Sequence, residues 1–163
     1  MTFMAGLIAL AAATVPACGA AVAQDFRAGL SAYNSGDYPS AFREWLGLAE
    51  QGDPAAEAGI GFLFHKGLGV TQDDAQAAAW FVKAAEQGQA EAQLLLGTLF
   101  FFGKGVPQSY VSAFAWCDIA GTNGQSDASE CRDVALERMT PDETTQSFKI
   151  VTDWLGRHTP PSR

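Results

Sequence analysis

An all-α solenoid of stacked helical hairpins is the fold that this sequence predicts, and three observations predict it. The first is self-similarity: residues 52–87 laid over 88–123 give 13 identities in 36 positions without a gap, the mark of a repeat architecture. The pairs include Gly61 with Gly97, Leu63 with Leu99, Phe64 with Phe100, Gly67 with Gly103, Gly69 with Gly105 and Trp80 with Trp116. The second is an apolar stripe at spacings of three and four, Ala77, Trp80, Phe81, Ala84 and Ala85, which is one face of a helix. The third is punctuation between such stripes by glycine, proline and capping residues. A lone hairpin cannot bury its stripe, so the units must stack.

The punctuation divides the chain into eight helices, near 25–35, 38–51, 54–66, 73–87, 90–102, 109–121, 126–138 and 141–155. The first two meet at the turn Asn34-Ser35-Gly36-Asp37. Asp53-Pro54 opens the third with an N-cap and then a proline at the first helical position, where its missing N–H costs nothing. Gly67-Leu68-Gly69-Val70 ends it with residues able to take positive φ. Asp73 caps the fourth, with Gln76 three residues on as in a capping box. The fifth and sixth repeat this plan around Gly103-Lys104-Gly105. Small residues such as Gly61 and Ala77 let paired helices approach, while Trp80 and Phe64 fill the space between hairpins. Gly124 to Trp154 forms a divergent last hairpin, in which Thr140-Pro141-Asp142-Glu143 supplies a cap, a first-turn proline and an acid. Gly156 and Pro160 end it.

The segment Ala56-x-x-x-Ile60-Gly61-x-Leu63-Phe64-x-x-Gly67-x-Gly69-Val70-x-Gln72-Asp73, followed by Ala77-x-x-Trp80-Phe81-x-x-Ala84-Ala85-Glu86-Gln87-Gly88, resembles a complete Sel-one-like repeat. The next unit follows it, with Ser109 in place of the usual aspartate and Gly121-Thr122-Asn123 in place of Ala-Glu-Gln. Upstream, Gly29, Gly36, Tyr38, Ala41 and Trp45 fall at the offsets of the related tetratricopeptide repeat. The resemblance is tight over 52–123 and loose over the rest of 24–156, and the C-terminal part looks like the tail of bacterial secreted members. It implies a right-handed superhelix of about four α/α hairpins, near 24–51, 52–87, 88–123 and 124–156, with residues 157–163 as a flexible tail. It also implies the usual role of such proteins, which is protein-interaction adaptor.

Composition sets the compartment and removes some partners. Hydrophobic residues make up 48% and charged residues 17% of the 163, enough apolar material for a core and too little charge for global disorder. The net charge of -8 comes wholly from Asp25 onward. Such a surface repels phosphate backbones and anionic lipid heads, and the ten basic residues are scattered rather than blocked. Nucleic acid is therefore not an expected partner. Residues 1–23 carry no charged side chain; an apolar run, Leu7 to Ala13, leads to Ala21-Val22-Ala23, a small-residue site of the kind a signal peptidase cuts. The run is too short for a stable membrane anchor. A cleaved signal peptide over 1–23 and a periplasmic or secreted mature protein with no transmembrane segment are expected. The alternative is a lipid anchor on Cys18, because Val15-Pro16-Ala17-Cys18-Gly19 resembles a lipobox, although Pro16 departs from its usual residues.

After export two cysteines remain, Cys117 and Cys131, seven residues either side of Gly124. Two readings fit: a disulfide joining facing helices, or two buried thiols acting as small hydrophobes. The equivalent pair one repeat earlier, Phe81 and Leu95, is expected in the core. Disulfide-rich relatives space their cysteines more closely, so their pattern does not carry over. Phe101 and Phe102 align with His65 and Lys66, positions that vary between the units. They either pack over the next helix or form an exposed patch on a groove lined by first helices, where large apolar patches mark contact. The candidate partner-binding residues are accordingly Phe62, His65, Lys66, Thr98, Phe101 and Phe102. No His-x-x-x-His or Cys-x-x-Cys spacing exists, so no metal site is expected. The two Gly-x-Gly loops follow helices rather than strands, which argues against a nucleotide site. No Gly-x-Ser-x-Gly occurs. No cofactor is expected. The function predicted is an exported adaptor or scaffold, not an enzyme, binding a peptide or protein of unknown identity in a helical-repeat groove. The alternative is a cell-envelope hydrolase or a cell-wall-ligand-binding protein.

Overall fold

The computed structural model describes residues 18–158, with side chains from Phe26 onward. Most of the expected signal peptide, the side chain of Cys18 and residues 159–163 lie outside what is described. Eight helices follow one another: α1 (Cys18–Asn34), α2 (Tyr38–Glu50), α3 (Pro54–Lys66), α4 (Asp74–Glu86), α5 (Ala90–Phe102), α6 (Tyr110–Thr122), α7 (Ala128–Leu136) and α8 (Pro141–His158). There is no strand among the described residues.

The repeat is visible in the caps. Asp37, Asp73 and Ser109, each 36 residues after the last, accept a backbone N–H at the start of α2, α4 and α6. Asp53 and Gln89 do the same for α3 and α5. These side chains satisfy donors that a helix start leaves without partners. The box at α4 is not reciprocal, because Gln76 Nε2 donates to the Asp73 carboxylate rather than receiving its backbone N–H. At α8 the box is complete: Glu143 Oε2 accepts from Thr140 N at 2.8 Å and Thr140 Oγ1 accepts from Glu143 N at 3.3 Å.

Hairpins α1–α2, α3–α4 and α5–α6 pack tightly, and each second helix also packs on the first helix of the next hairpin. The small residues act as expected: a Cβ on Gly61 would strike the Phe81 ring and approach the Ala77 carbonyl. Phe64 packs against the clusters on both sides of it, and Trp80 against the preceding one. The loops also pack. Gly69 lies against the start of α2 and Gly105 against the start of α4, both with φ near 70°. A buried polar clamp recurs as well. Glu57 Oε2 accepts from Gln87 Nε2 at 2.8 Å, and 36 residues later Gln93 Oε1 accepts from Asn123 Nδ2 at 2.9 Å.

Both helices of the last pair form, yet they make little contact with each other; each packs on α6 instead. The reason lies in α7, which has nine residues and buries only Ala128 and Ala135. It offers α8 no apolar stripe. Helix α8 buries Val151 and Trp154 against Ala115 and Ile119 of α6. It also runs on through Arg157 and His158, two residues assigned from the sequence to a flexible tail. The His158 ring stacks on Trp154 with centroids 3.8 Å apart, and its Nε2 lies 2.8 Å from the Glu86 carbonyl at the end of α4.

Candidate functional site

First helices of the hairpins and α7 form one layer, and two hollows open in it. The first, about 250 Å³, lies among α1, α2 and α3, with the N-terminal turn of α5 at its edge. Its wall is an aromatic stack: Trp45 has ring centroids 5.7 Å from Phe26 and 5.8 Å from Tyr33, and Tyr33 meets Phe62 edge-on at 6.2 Å. Trp45 Nε1 donates to the Phe26 carbonyl at 3.2 Å, which satisfies its polar edge and fixes the ring. Glu91, in the first turn of α5, stands at the margin.

The second hollow, about 300 Å³, lies between α5 and α7. Helix α5 is apolar on every side, Ala90-Glu91-Ala92-Gln93-Leu94-Leu95-Leu96-Gly97-Thr98-Leu99-Phe100-Phe101-Phe102. A helix of that kind is normally enclosed. Here Leu96 and Leu99 are buried in the stack, while Leu94, Leu95, Thr98, Phe101 and Phe102 line the hollow. Thr98 Oγ1 donates to the Leu94 carbonyl at 2.9 Å, so its hydroxyl is satisfied within the helix. Phe101 is held edge-on by Phe102 at 5.0 Å and Tyr110 at 5.3 Å, and it packs on the cluster of Phe114 and Ala135. Phe102 is 61% exposed. Val134 of α7 faces it from the far wall and is itself exposed.

Cys131 also lines this hollow, and it is bridged to Cys117 with Cα atoms 6.0 Å apart. Cys117 is fully buried on α6 beside Gly97, and the bridge ties α7 to the hairpin before it. Of the two readings of these cysteines, the bridge is the one found. Asp127 and Glu130 form the acidic rim. Behind the same disulfide is a polar recess of about 380 Å³, whose cation, Arg132, is already held by Asp118 at 3.6 Å and Asp133 at 2.8 Å.

The expected partner-binding residues divide between these places. Phe62 lies in the first hollow, and Thr98, Phe101 and Phe102 lie together in the second. Lys66 is exposed with its ammonium 5.8 Å from the Phe62 ring. His65 turns instead toward α4, its Nδ1 2.6 Å from Asp74 Oδ1. Sequence reasoning missed Leu94, Leu95, Val134 and the acids on α7. The signal for the leucines was the stripe-free apolar run of α5; α7 carried no such signal. Leu95, expected in the core beside Phe81, is only partly buried because it faces the hollow, whereas Phe81 is fully enclosed.

Among the described residues, no three or more His, Cys, Asp or Glu side chains gather as metal ligands, and no helix is long and apolar enough to cross a membrane. The Sel1 repeat family model matches residues 54–89 and 90–125. Among solved structures, the chain is similar to a protective antigen present in uropathogenic Escherichia coli strains, which displays an SLR fold. The TM-score is 0.81 at 29% identity, covering 85% of this chain and 31% of that one. It is also similar to a Sel1 repeat protein from Oxalobacter formigenes, with a TM-score of 0.66 at 29% identity over 79% of this chain and 55% of the other. The chain thus spans about a third and about half the length of these two proteins. A comparison with the curated proteins finds no match.

Proposed function

We infer that this chain, which carries two Sel1 repeats in an SLR-type helical stack, is an exported interaction module that binds a peptide or helical segment of a protein partner along its first-helix layer. One observation carries the reading. The α5–α7 hollow presents an apolar lining, with Phe102 and Val134 exposed at its mouth. Large exposed apolar side chains around a concavity are what contact surfaces use, and central aromatic residues dominate their energetics. Sel1-repeat proteins are generally interaction scaffolds, which agrees with it. Export is supported by the apolar leader read from the sequence and by a disulfide, which persists in oxidising compartments.

Selection of a displayed peptide library on the purified, bridged protein tests the proposal. Binders are expected to lose affinity with Phe102→Ser and Thr98→Arg while thermal stability stays unchanged. Binders indifferent to both substitutions would place recognition elsewhere and defeat the reading.

A further inference from the structure

We propose that the α5–α7 hollow takes a large apolar side chain presented by a basic segment, with lysine or arginine flanking the anchor and meeting Asp127 and Glu130. This rests on the reading of that layer as the interaction surface and adds the chemistry of the partner.

The argument is charge complementarity around an apolar hole. Asp127 stands at the N-cap of α7, where an aspartate normally spends its carboxylate on the helix's own N–H groups. Here its backbone is at φ -80°, ψ -3°, a helical conformation, and its side chain makes no capping bond. The Asp127 carboxylate accepts only from the neighbouring Ser126 hydroxyl. Glu130, one turn of helix later on the same rim, has no hydrogen bond or ion pair among the described residues. The cations nearby do not neutralise these two. Arg132 belongs to Asp118 and Asp133 on the other side of the bridge, and Lys104 stands 5.9 Å from the Phe102 ring and forms no ion pair with either acid.

The pattern recurs one repeat earlier. Glu91 is 36 residues before Asp127, sits in the first turn of α5, has no ion pair among the described residues and borders the aromatic hollow. A first-turn acid also suits the positive end of a helix. That explains why the acids are tolerated there, and it leaves their outward charge facing each hollow. A net charge of -8 extends the same preference to the approach of the partner. A hollow of about 300 Å³ is at the small end for ligand pockets, which fits one or two side chains rather than a cofactor.

The test uses the bridged protein and three labelled synthetic peptides, followed by fluorescence anisotropy at low and high salt. The first carries a central Leu-Phe anchor flanked by lysines. The second has glutamates for the lysines, and the third has serines for the anchor. The lysine–anchor peptide is expected to bind at least about tenfold more tightly than either other peptide, and to weaken with salt. Asp127→Asn with Glu130→Gln is expected to remove most of that preference; these neutral variants leave the helix start unburdened by new charge. Unchanged helicity by circular dichroism controls for folding. Equal binding of the glutamate peptide, with loss on Phe102→Ser, would overturn this inference and leave the interaction surface standing. Binding of all three peptides unaffected by Phe102→Ser would overturn both. Self-association that Phe102→Ser abolishes would make a second copy of the chain the occupant, and would also overturn it.

Discussion

The buried carboxylate of Glu57 accepts a 2.8 Å hydrogen bond from the side-chain amide of Gln87, thirty residues away at the end of the next helix. Gln93 and Asn123 make the equivalent bond one repeat later, with an amide in place of the carboxylate. Two units of one stack thus solve the same problem with different chemistry, which makes their pH behaviour different.

Glu57 is only 3% exposed, and burial raises its pKa above the ordinary 4.5, against the lowering effects of Gln87 and Lys83. A folded value above the unfolded one stabilises at low pH, and that contribution is lost as pH rises through the folded value. Glu57→Gln is therefore expected to raise the thermal midpoint at pH 7, by up to about 1 kcal/mol of stability, and to give no gain at pH 4. The reverse change, Gln93→Glu, is expected to destabilise at pH 7 by about 2–3 kcal/mol, because Gln93 Nε2 donates to the Ala85 carbonyl and a carboxylate cannot. Denaturant melts at the two pH values measure both.

The capping acids behave in the opposite sense. Hydrogen bonds from Ser40 hold Asp37, and those from Gln76 and Ala75 hold Asp73, below their ordinary value of 3.8; hydrogen bonds from Thr140, at the start of α8, hold Glu143 below its ordinary 4.5. Their contribution is full above those values and is lost as pH falls through the folded ones. Helicity followed by circular dichroism is expected to decline on acidification below that range, and Asp73→Asn, which keeps the cap but cannot titrate, is expected to reduce the decline.

Gly105 and Gly47 separate two kinds of glycine. Gly105 has φ 68° and lies against the Asp74 backbone, so Gly105→Ala combines a strained conformation with a collision. A loss of at least about 2 kcal/mol is expected. Gly47 lies inside α2, and a Cβ there meets nothing within 4 Å. Gly47→Ala is expected to stabilise by about 0.5–1 kcal/mol. Thermal unfolding of the two variants checks the contrast.

Reduction of the Cys117–Cys131 bridge, which closes a separation of 14 residues, is expected to cost about 2–3 kcal/mol. The effect concentrates in α7, which buries only two alanines of its own. Hydrogen exchange is expected to rise in 128–136 on reduction while α3 to α5 stay protected. Uniform exchange across the stack would contradict this.

Phe101 and Phe102 are expected to part company under substitution. Phe101→Ser removes contacts with Tyr110 and the Phe114 cluster and costs stability, about 1–3 kcal/mol; Phe102→Ser removes an exposed ring and costs little. Melting curves show the first effect and peptide binding the second.

The expected helix limits lie within three residues of those found in seven of the eight elements, α1 alone starting seven residues earlier, and Asp53, Asp73 and Thr140 cap the helices that the sequence assigns to them. These are local events, written in short spans of chain. The candidate surface was half legible. Phe62, Thr98, Phe101 and Phe102 line hollows, but their spacing held no notice of Val134, Asp127 or Glu130, which reach the same hollow from α7. The engagement of His65 by Asp74 was equally silent, since a pattern of exposed positions does not say which neighbour a side chain turns to.

The period, the helices and the need to stack are all written in the order of residues, because apolar stripes and capping residues act within a few residues of one another. Long-range packing alone makes α8 lie along α6 rather than α7, brings His158 to Glu86 across 72 positions, and turns the half-covered side of α5 into a hollow. Those outcomes depend on which exposed face of a finished helix offers the better burial, a competition among distant surfaces that no local spacing records.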